Sequence, residues 1–311
     1  PPTYEHYEIL LLGSGVELEE QVFRVLDREG NILALRSDLT TQVARIVGTK
    51  LHKHPLPLRF YYLANVFRYE EPQAGRQREF RQAGVELIGA PGAEADAEVL
   101  SLTIEALRRA GLREFQLNVG HLGLFHALAS EAGLGPSEAE AVRACLNRKD
   151  VPGLAEVLGR RAENGAPYRA LLTLPELCGG PEILDRAASL SSHPSARTSI
   201  ERLRAIHRVL ASRDLAGHLI FDLGETRGMG YYTGIAFEGF APRLGFPICS
   251  GGRYDELIAR YGPSRPAVGV ALLTERVLLA LDGADASLAR PDLLVAAPVA
   301  RACWPEIERL R

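Results

Sequence analysis

An arginine-rich segment stands out among the residues whose types and spacing could carry chemistry. Residues 67–82 have the sequence FRYEEPQAGRQREFRQ, in which arginines and glutamates alternate around a Pro and Gly turn. Because side chains alternate along a strand, Arg68 and Glu70 share one face near the tip of a predicted hairpin, beside Arg76 and Arg78. Such arginines can bind a phosphate or a carboxylate bidentately. The pattern leaves two interpretations open, a phosphate or carboxylate grip and a solvated hairpin held by salt bridges.

Two glycine-rich segments form the second candidate site. Residues 225–234 are ETRGMGYYTG, and residues 250–255 are SGGRYD. Glycine removes side chains where a backbone approaches a ligand, and Arg227 with Tyr231 and Tyr232 offers a carboxylate clamp and an aromatic wall. A bulge at a glycine-rich strand edge is the equal alternative.

Several common catalytic signatures are absent from the sequence. There is no GxxxxGKS/T phosphate loop, no GxSxG nucleophile elbow and no HExxH zinc motif. The four cysteines lie far apart without a CxxC pair, so we expect buried free thiols rather than a disulfide frame or a zinc site. We therefore expect no metal and no cofactor. The cysteines are Cys145, Cys178, Cys249 and Cys303.

Composition narrows the class of protein. The chain has 311 residues, of which 46% are hydrophobic and 24% charged, which excludes disordered, collagen-like and coiled-coil proteins. The formal net charge is −3, so the protein as a whole does not attract nucleic acid electrostatically. The longest apolar runs are too short to span a bilayer, and no leader opens the chain. We expect a cytoplasmic protein that binds neither membrane nor nucleic acid.

The elements that must position these residues indicate an α+β fold. Apolar runs predict a first hairpin at 22–26 and 32–36, a second at 59–68 and 82–87, and further strands at 115–119, 219–223, 231–240, 246–249 and 267–271. Helical periodicity covers 40–49, 93–110 and 274–281, and it dominates between 122 and 213.

The order of these elements predicts a divided core. Residues 1–120 form its first part, with the second hairpin within 59–90, and residues 216–282 form its second part. Residues 121–215 form a mainly helical insertion. Residues 282–286 resemble a linker, and 291–311 begin a further α/β domain. The chain lacks an initiator Met and stops inside a helical pattern, so we expect more sequence beyond both ends.

The motifs resemble a known family. The patterns FRxExPxxGRxREFxQ, RGxxYYTG and GGRYD, with the late Glu275 and Arg276, are similar to motif 2, the histidine-recognition strand and motif 3 of histidyl-tRNA synthetase and its relatives. The resemblance covers residues 12–281. It implies a class II aminoacyl-tRNA synthetase-like fold, an antiparallel sheet flanked by helices, in a homodimer whose two-fold interface lies near the N-terminus.

The resemblance also implies a histidine site. Asp38 and Thr40 would hold the α-amino group with Gln82 beside them, and Arg227 would bind the carboxylate. Position 86 and the second tyrosine of the YY pair would hold the imidazole, since a carboxylate accepts an imidazole N–H and an aromatic wall excludes water. The implied histidine-binding set is Asp38, Thr40, Gln82, Glu86, Arg227, Tyr231 and Tyr232.

The positions that match the ATP-binding residues of the synthetase depart in part from its pattern. Arg68 and Arg276 match the arginines that hold the α- and γ-phosphates in the synthetase. Leu273 stands where the pattern has glycine, Gly230 stands where it has aspartate, and Asp38-Leu39 replaces Glu-Gly. These departures disfavour aminoacylation. The candidate phosphate-binding set is Arg68, Arg76, Arg78 and Arg276.

Three further segments are similar to one branch of this family, the regulatory subunits of ATP phosphoribosyltransferase. They are residues 117–125 (LNVGHLGLF), 146–150 (LNRKD) and 178–182 (CGGPE). This resemblance implies a non-catalytic protein of histidine biosynthesis. It would form a hetero-oligomer with the short-form catalytic subunit, which condenses ATP with phosphoribosyl pyrophosphate, and L-histidine would be its effector. A true histidyl-tRNA synthetase and a paralogue with another amino-acid-linked role remain the alternatives.

Overall fold

The computed structural model describes residues 1–13, 21–69, 77–159, 165–226 and 230–282. A small three-stranded sheet, in the order β1-β3-β2, opens the chain. The side chain of Asp27 shapes its hairpin turn, because one carboxylate oxygen accepts hydrogen bonds from the backbone of Glu29 and Asn31 at 2.9 and 2.8 Å. The elements are β1 (Tyr4–His6), α1 (Tyr7–Gly13), β2 (Arg24–Leu26) and β3 (Ile32–Leu35).

An eight-stranded sheet in the order β4-β5-β11-β10-β9-β6-β8-β7 forms the centre of the protein. All neighbouring strands are antiparallel except β6 and β8, which are parallel. The strands are β4 (Leu58–Phe67), β5 (Glu79–Ile88), β6 (Gln116–His121), β7 (Cys178–Gly179), β8 (Leu219–Asp222), β9 (Ile235–Phe240), β10 (Cys249–Arg253) and β11 (Ala267–Leu273). This confirms the class II synthetase-like α+β fold.

Helices cover the two faces of this sheet unequally. The helices on the larger apolar core are α3 (Ala93–Arg109), α4 (Leu122–Glu131), α5 (Pro136–Asn147), α6 (Val151–Leu158), α7 (Ala166–Thr173), α8 (Ile183–Ala188), α9 (Pro194–Ala211) and α10 (Thr274–Asp282). Helix α2 (Thr40–Ile46) lies over a smaller apolar cluster on the other face, with Leu39, Tyr62 and Ile88. Adjacent residues of β5 belong to different apolar clusters because they face opposite sides of the sheet: Leu87 lies in the larger core and Ile88 in the smaller cluster. That smaller face holds the candidate site.

A buried ion network joins the sheet to the helical layer. The guanidinium of Arg253 on β10 lies 2.7 Å from Oδ1 of Asp96 on α3, and Nε of Arg202 on α9 donates to Oδ2 of Asp96 at 2.5 Å. Burial raises the pKa of Asp96, and the two arginines oppose that rise. Burial and the same arginines lower the pKa of His121 to about 3, so this residue caps α4 as a neutral acceptor of the Gly123 N–H.

Several predicted boundaries differ from the structure. The strand predicted at 231–240 begins only at Ile235. The strand predicted at 246–249 lies at Cys249–Arg253, because its glycines allow close strand packing; a Cβ on Gly251 would lie 2.4 Å from the Phe237 ring. The helix predicted at 40–49 ends at Ile46 and continues as a π-helical turn, where Gly48 packs against the backbone of residue 261.

The helical segment contains an unpredicted strand. Cys178 and Gly179 form the short edge strand β7, which pairs with β8. Cys178 is therefore exposed, contrary to the prediction of a buried thiol, whereas Cys145 and Cys249 are buried as predicted. Cys303, the linker at 282–286 beyond its first residue and the strand expected after 291 lie outside the described residues. Over the described ranges, every helix is too short or too polar to cross a membrane.

Candidate functional site

Strand register gathers the candidate residues into one cleft. Side chains of alternate residues on β5 share a face, so Gln82 and Glu86 point to the same side of the sheet. Leu273 and Gly269 of β11 lie directly opposite these two residues in the antiparallel ladder. A small cleft lies over this face, between β5, β10, β11 and the start of helix α2.

Glu86 lies next to the cleft among hydroxyl groups, in contact with Thr40 and Tyr254 of the cleft lining. Its Oε1 accepts a hydrogen bond from Thr40 Oγ1 at 2.7 Å and a longer one from the Tyr62 hydroxyl at 3.4 Å. Its Oε2 accepts a short hydrogen bond from the Tyr254 hydroxyl. Glu86 is 1% exposed. The three donors come from helix α2, from strand β4 and from the residue that follows β10, so contacts between distant segments fix the orientation of Glu86.

Two glycines make room for this cluster. A Cβ atom on Gly269 would overlap Oε2 of Glu86 and lie 2.8 Å from the Val85 carbonyl oxygen, so both the Glu86 side chain and the neighbouring strand would have to shift. A Cβ atom on Gly84 would lie 2.3 Å from the Tyr62 ring. The absence of side chains at these positions is therefore a requirement of the site.

Asp38 provides a second carboxylate in the cleft. It precedes helix α2, and it accepts hydrogen bonds from the backbone N–H and the hydroxyl of Thr41, both at 3.2 Å. The Tyr231 hydroxyl donates to Oδ2 of Asp38 at 3.3 Å. Only 4% of Asp38 is exposed.

Burial sets the charge state of the two acids. Burial raises the pKa of Glu86 to about 7, although its hydroxyl donors oppose the rise. Burial also raises the pKa of Asp38, and the positive charge of Arg68 opposes this. Two buried carboxyl groups in one cleft favour a ligand that brings positive charge or N–H donors, because such a ligand offsets their desolvation.

The remaining members of the predicted histidine-binding set mostly line the same cleft. Tyr231 and Tyr232 form part of its wall, with ring centroids 5.1 Å apart at an interplanar angle of 80°. Gln82 lines it as well, and its Oε1 is buried without a hydrogen-bond partner among the described residues. Arg227 lies outside the described residues.

The candidate phosphate-binding arginines lie on separate elements. Arg68 follows β4, donates from Nε to the Ser37 carbonyl at 2.9 Å and leaves Nη2 buried without a hydrogen-bond partner in the described part of the chain. Arg78 stacks on the Tyr69 ring at 4.8 Å. Arg276 donates to the Pro247 carbonyl at 2.9 Å and stacks on the Phe246 ring at 5.0 Å. Arg76 lies outside the described residues.

Sequence reasoning missed two residues of the cleft. Tyr62 and Tyr254 contact Glu86, yet neither was assigned to the site. The alternation of side chains along the strand 58–67 could have predicted the position of Tyr62. This residue pairs with Gly84 on β5 and therefore lies diagonally from Glu86 on the same face of the sheet. Tyr254 belongs to SGGRYD, a motif whose arginine serves the opposite face of the sheet by pairing with Asp96.

Comparison with known proteins gives consistent matches. The family model described as histidyl-tRNA synthetase matches residues 1–277. A relative from Desulforamulus reducens, named ATP phosphoribosyltransferase regulatory subunit, is 46% identical over 298 residues, which cover 95% of this chain and 74% of the relative.

Solved structures agree with this comparison. A Bacillus halodurans structure, described as an ATP phosphoribosyltransferase regulatory subunit/histidyl-tRNA synthetase, has a TM-score of 0.84 at 37% identity over 91% of this chain and 73% of its own. A histidine–tRNA ligase subunit from Alicyclobacillus acidocaldarius has a TM-score of 0.77 at 31% identity, over 91% of this chain and 86% of its own.

Proposed function

Because the chain belongs to the histidyl-tRNA synthetase family, and within it to the ATP phosphoribosyltransferase regulatory subunits, we propose that it binds L-histidine in the cleft between Asp38 and Glu86 and thereby controls a catalytic partner. The observation that carries this proposal is the buried Glu86 with its three hydroxyl donors. A carboxylate held in this way accepts an N–H at a fixed position, and the imidazole of histidine supplies one.

Each part of the histidine molecule has a chemical counterpart in the chain. The α-ammonium group is matched by Asp38, with Thr40 and the unpartnered Oε1 of Gln82 beside it. The imidazole is matched by Glu86 and the ring of Tyr232. The α-carboxylate is matched by Arg227, which extends the proposal to a residue known from the sequence alone.

The residue at position 273 favours a regulatory role rather than amino-acid activation. Leu273 is buried and lies opposite Gln82 on the cleft face of the sheet, where the synthetase pattern has glycine. Its side chain takes space beside the amino-acid site that an activating enzyme needs for ATP. We therefore propose that the chain alone has no turnover and needs no cofactor.

Histidyl-tRNA synthetase activity is the second candidate function. The observation that favours it is the buried Nη2 of Arg68, which has no hydrogen-bond partner among the described residues and retains capacity for an anion. One of the similar structures is itself described as a histidine–tRNA ligase subunit. ATP–pyrophosphate exchange in the presence of histidine separates the two functions, because only the synthetase catalyses it.

The proposed partner is a short-form ATP phosphoribosyltransferase subunit, in a cytoplasmic complex without membrane or nucleic acid. The relatives are named regulatory subunits, and a regulatory subunit acts through a catalytic one. A ligand that binds one conformation more tightly biases the partner, and linkage requires the partner to change histidine affinity by the same factor. Histidine inhibition of the joint complex is the expected consequence.

We also propose a homodimer formed near the N-terminus. Large apolar side chains are exposed there, Val25, Leu26 and Ile32 on the first sheet and Leu12 on helix α1. An exposed apolar surface of this kind marks an interaction site, and a two-fold interface presents the same surface from each subunit.

Titration calorimetry tests the histidine site directly. L-Histidine is titrated into the purified chain and compared with histamine, which keeps the imidazole but lacks the carboxylate. The proposal expects binding of histidine and much weaker binding of histamine. Reconstitution with a short-form catalytic subunit then tests regulation, and the proposal fails if the chain neither supports activity nor confers histidine inhibition.

A further inference from the structure

The turn after strand β8, residues 222–226, is built around Asp222. One carboxylate oxygen of Asp222 accepts a hydrogen bond from the Gly224 N–H at 3.1 Å, and its backbone carbonyl accepts one from the Glu225 N–H at 3.1 Å. Asp222 is 4% exposed, so water does not compete for these contacts. Its carboxylate therefore fixes the shape of the turn.

A lysine from the helical segment holds this carboxylate. Nζ of Lys149 lies 2.8 and 2.7 Å from the two carboxylate oxygens of Asp222. Lys149 lies between α5 and α6 and has a φ angle of 54°, a left-handed conformation that favours glycine over a residue with a Cβ atom. A lysine at such a position indicates that its side-chain contact offsets the backbone strain.

Two more contacts fix the same turn to the helical segment. The Thr226 hydroxyl donates to Oδ1 of Asn147, the last residue of α5, at 2.6 Å. The Leu223 N–H donates to the Leu177 carbonyl at 2.9 Å. Cys178 of CGGPE also pairs with Asp222, so the LNRKD and CGGPE segments, which the proposed histidine site does not use, meet at residues 222–226.

The turn leads directly into the cleft. Four residues separate Thr226 from Tyr231, whose hydroxyl donates to Asp38. Because the turn and Tyr231 are this close in sequence, the position of the turn limits the positions that Tyr231 can take.

We propose that Lys149 and Asn147 are positioning residues that hold the 222–226 turn where a ligand in the cleft requires it, so that the helical segment sets the affinity for histidine. This inference rests on the proposed histidine-binding function. It goes beyond that function because Lys149 and Asn147, which do not touch the ligand, would determine how tightly histidine binds.

Calorimetry with L-histidine on matched variants tests the inference. Lys149→Met removes the charge, and Lys149→Gly removes the side chain while relieving the backbone strain, so the second variant is expected to fold. Both should raise the Kd for histidine by about tenfold. Lys149→Arg should restore most of the affinity. Arg148→Met is the control, since it removes the same charge one position away, and the ion pair of Arg148 is with Asp150, at 4.0 Å.

Hydrogen exchange of residues 222–226 supplies a readout that a loss of global stability alone would not produce. The Lys149 variants should exchange faster at these amides, with protection of β5 and β11 unchanged. Unchanged histidine affinity in both Lys149 variants, or equal losses in Arg148→Met, overturns the inference while leaving the histidine site standing. Failure of the unmodified chain to bind histidine overturns the proposed function and this inference together.

Discussion

The hydroxyl of Tyr254 donates a hydrogen bond to Oε2 of Glu86 across 168 positions of sequence. The preceding residue, Arg253, points to the opposite side of the sheet and pairs with Asp96. Arg253 and Tyr254 therefore have different roles, because consecutive residues at a strand end face opposite sides of the sheet. Arg253 joins the sheet to its helices, and Tyr254 orients Glu86 beside the cleft.

Tyr254→Phe should weaken histidine binding by about 2 kcal/mol, the typical contribution of a hydrogen bond to a charged group. The variant removes a donor that lowers the pKa of Glu86, so the pKa should rise further. Calorimetry at pH 8 and a carboxyl NMR titration measure the two effects. Tyr61→Phe is the matched control on strand β4, where the side chain is 87% exposed, and equal losses in both variants would contradict the role of Tyr254.

Glu86→Gln should flatten the pH dependence of stability. The pKa of Glu86 is about 7 in the folded protein against an ordinary value of 4.5, so between these pH values only the folded state keeps the proton. The free energy of unfolding contributed by Glu86 therefore falls as pH rises from 4.5 to 7, by about 3 kcal/mol, and stays constant above that range.

Urea unfolding of the ligand-free protein at pH 5 and pH 8 measures this difference. Glutamine does not titrate, so the variant should lose less stability than the parent between the two pH values. The same variant should also lose its preference for histidine over other amino acids. Parallel pH profiles for parent and variant would exclude a buried, titrating Glu86.

Arg227→Ala should cost about 2–5 kcal/mol of histidine affinity, because it leaves the ligand carboxylate without its charged partner. Calorimetry checks the affinity, and Arg186→Ala, an exposed arginine on α8, is the control. In a complex with a short-form catalytic subunit, the Arg227 variant should support activity and resist histidine inhibition. An active complex that stays fully sensitive to histidine would show that the sensor lies elsewhere.

Asp96→Ala should destabilise the protein by about 3–5 kcal/mol, since it leaves the buried Arg253 without its principal partner. Asp185→Ala provides a matched comparison. Asp185 also pairs with an arginine, Arg204, but its side chain is 80% exposed, so its loss should cost no more than about 1 kcal/mol. Urea unfolding at pH 7 measures both, and similar costs would contradict a structural role for the buried network.

The protein should be a dimer at micromolar concentration by light scattering. Leu26→Asp, at an apolar position 74% exposed on the N-terminal sheet, should shift the population towards monomer. Val157→Asp introduces the same charge at an exposed position of helix α6 and should leave the dimer intact. A monomeric parent chain would refute the proposed interface.

Local geometry made part of the site predictable. A strand over 82–87 places Gln82 and Glu86 on one face whatever the rest of the fold does, because the side-chain period of a strand is fixed. The same rule did not reveal Tyr254 as a partner of Glu86. That contact depends on the order β5-β11-β10, and strand order is a property of the folded sheet rather than of any segment.

Long-range contacts account for the other differences. The helical character of 122–213 followed from periodicity, but strand β7 within it exists only because β8 offers a free edge to Cys178. The contact of Lys149 with Asp222 likewise joins segments 73 positions apart. The glycines of β10 favour a turn when considered locally, and only their neighbours, such as Phe237 beside Gly251, explain why a strand needs them.

The space left by Gly269 ties the evolution of two positions together. A methyl group there would overlap the carboxylate of Glu86 and crowd the Val85 carbonyl, so a side chain at position 269 requires Glu86 and the neighbouring strand to shift. Substitutions at positions 269 and 86 are therefore expected to depend on each other. Because Gly269 is buried, Gly269→Ala would change the surroundings of Glu86 without replacing an exposed residue.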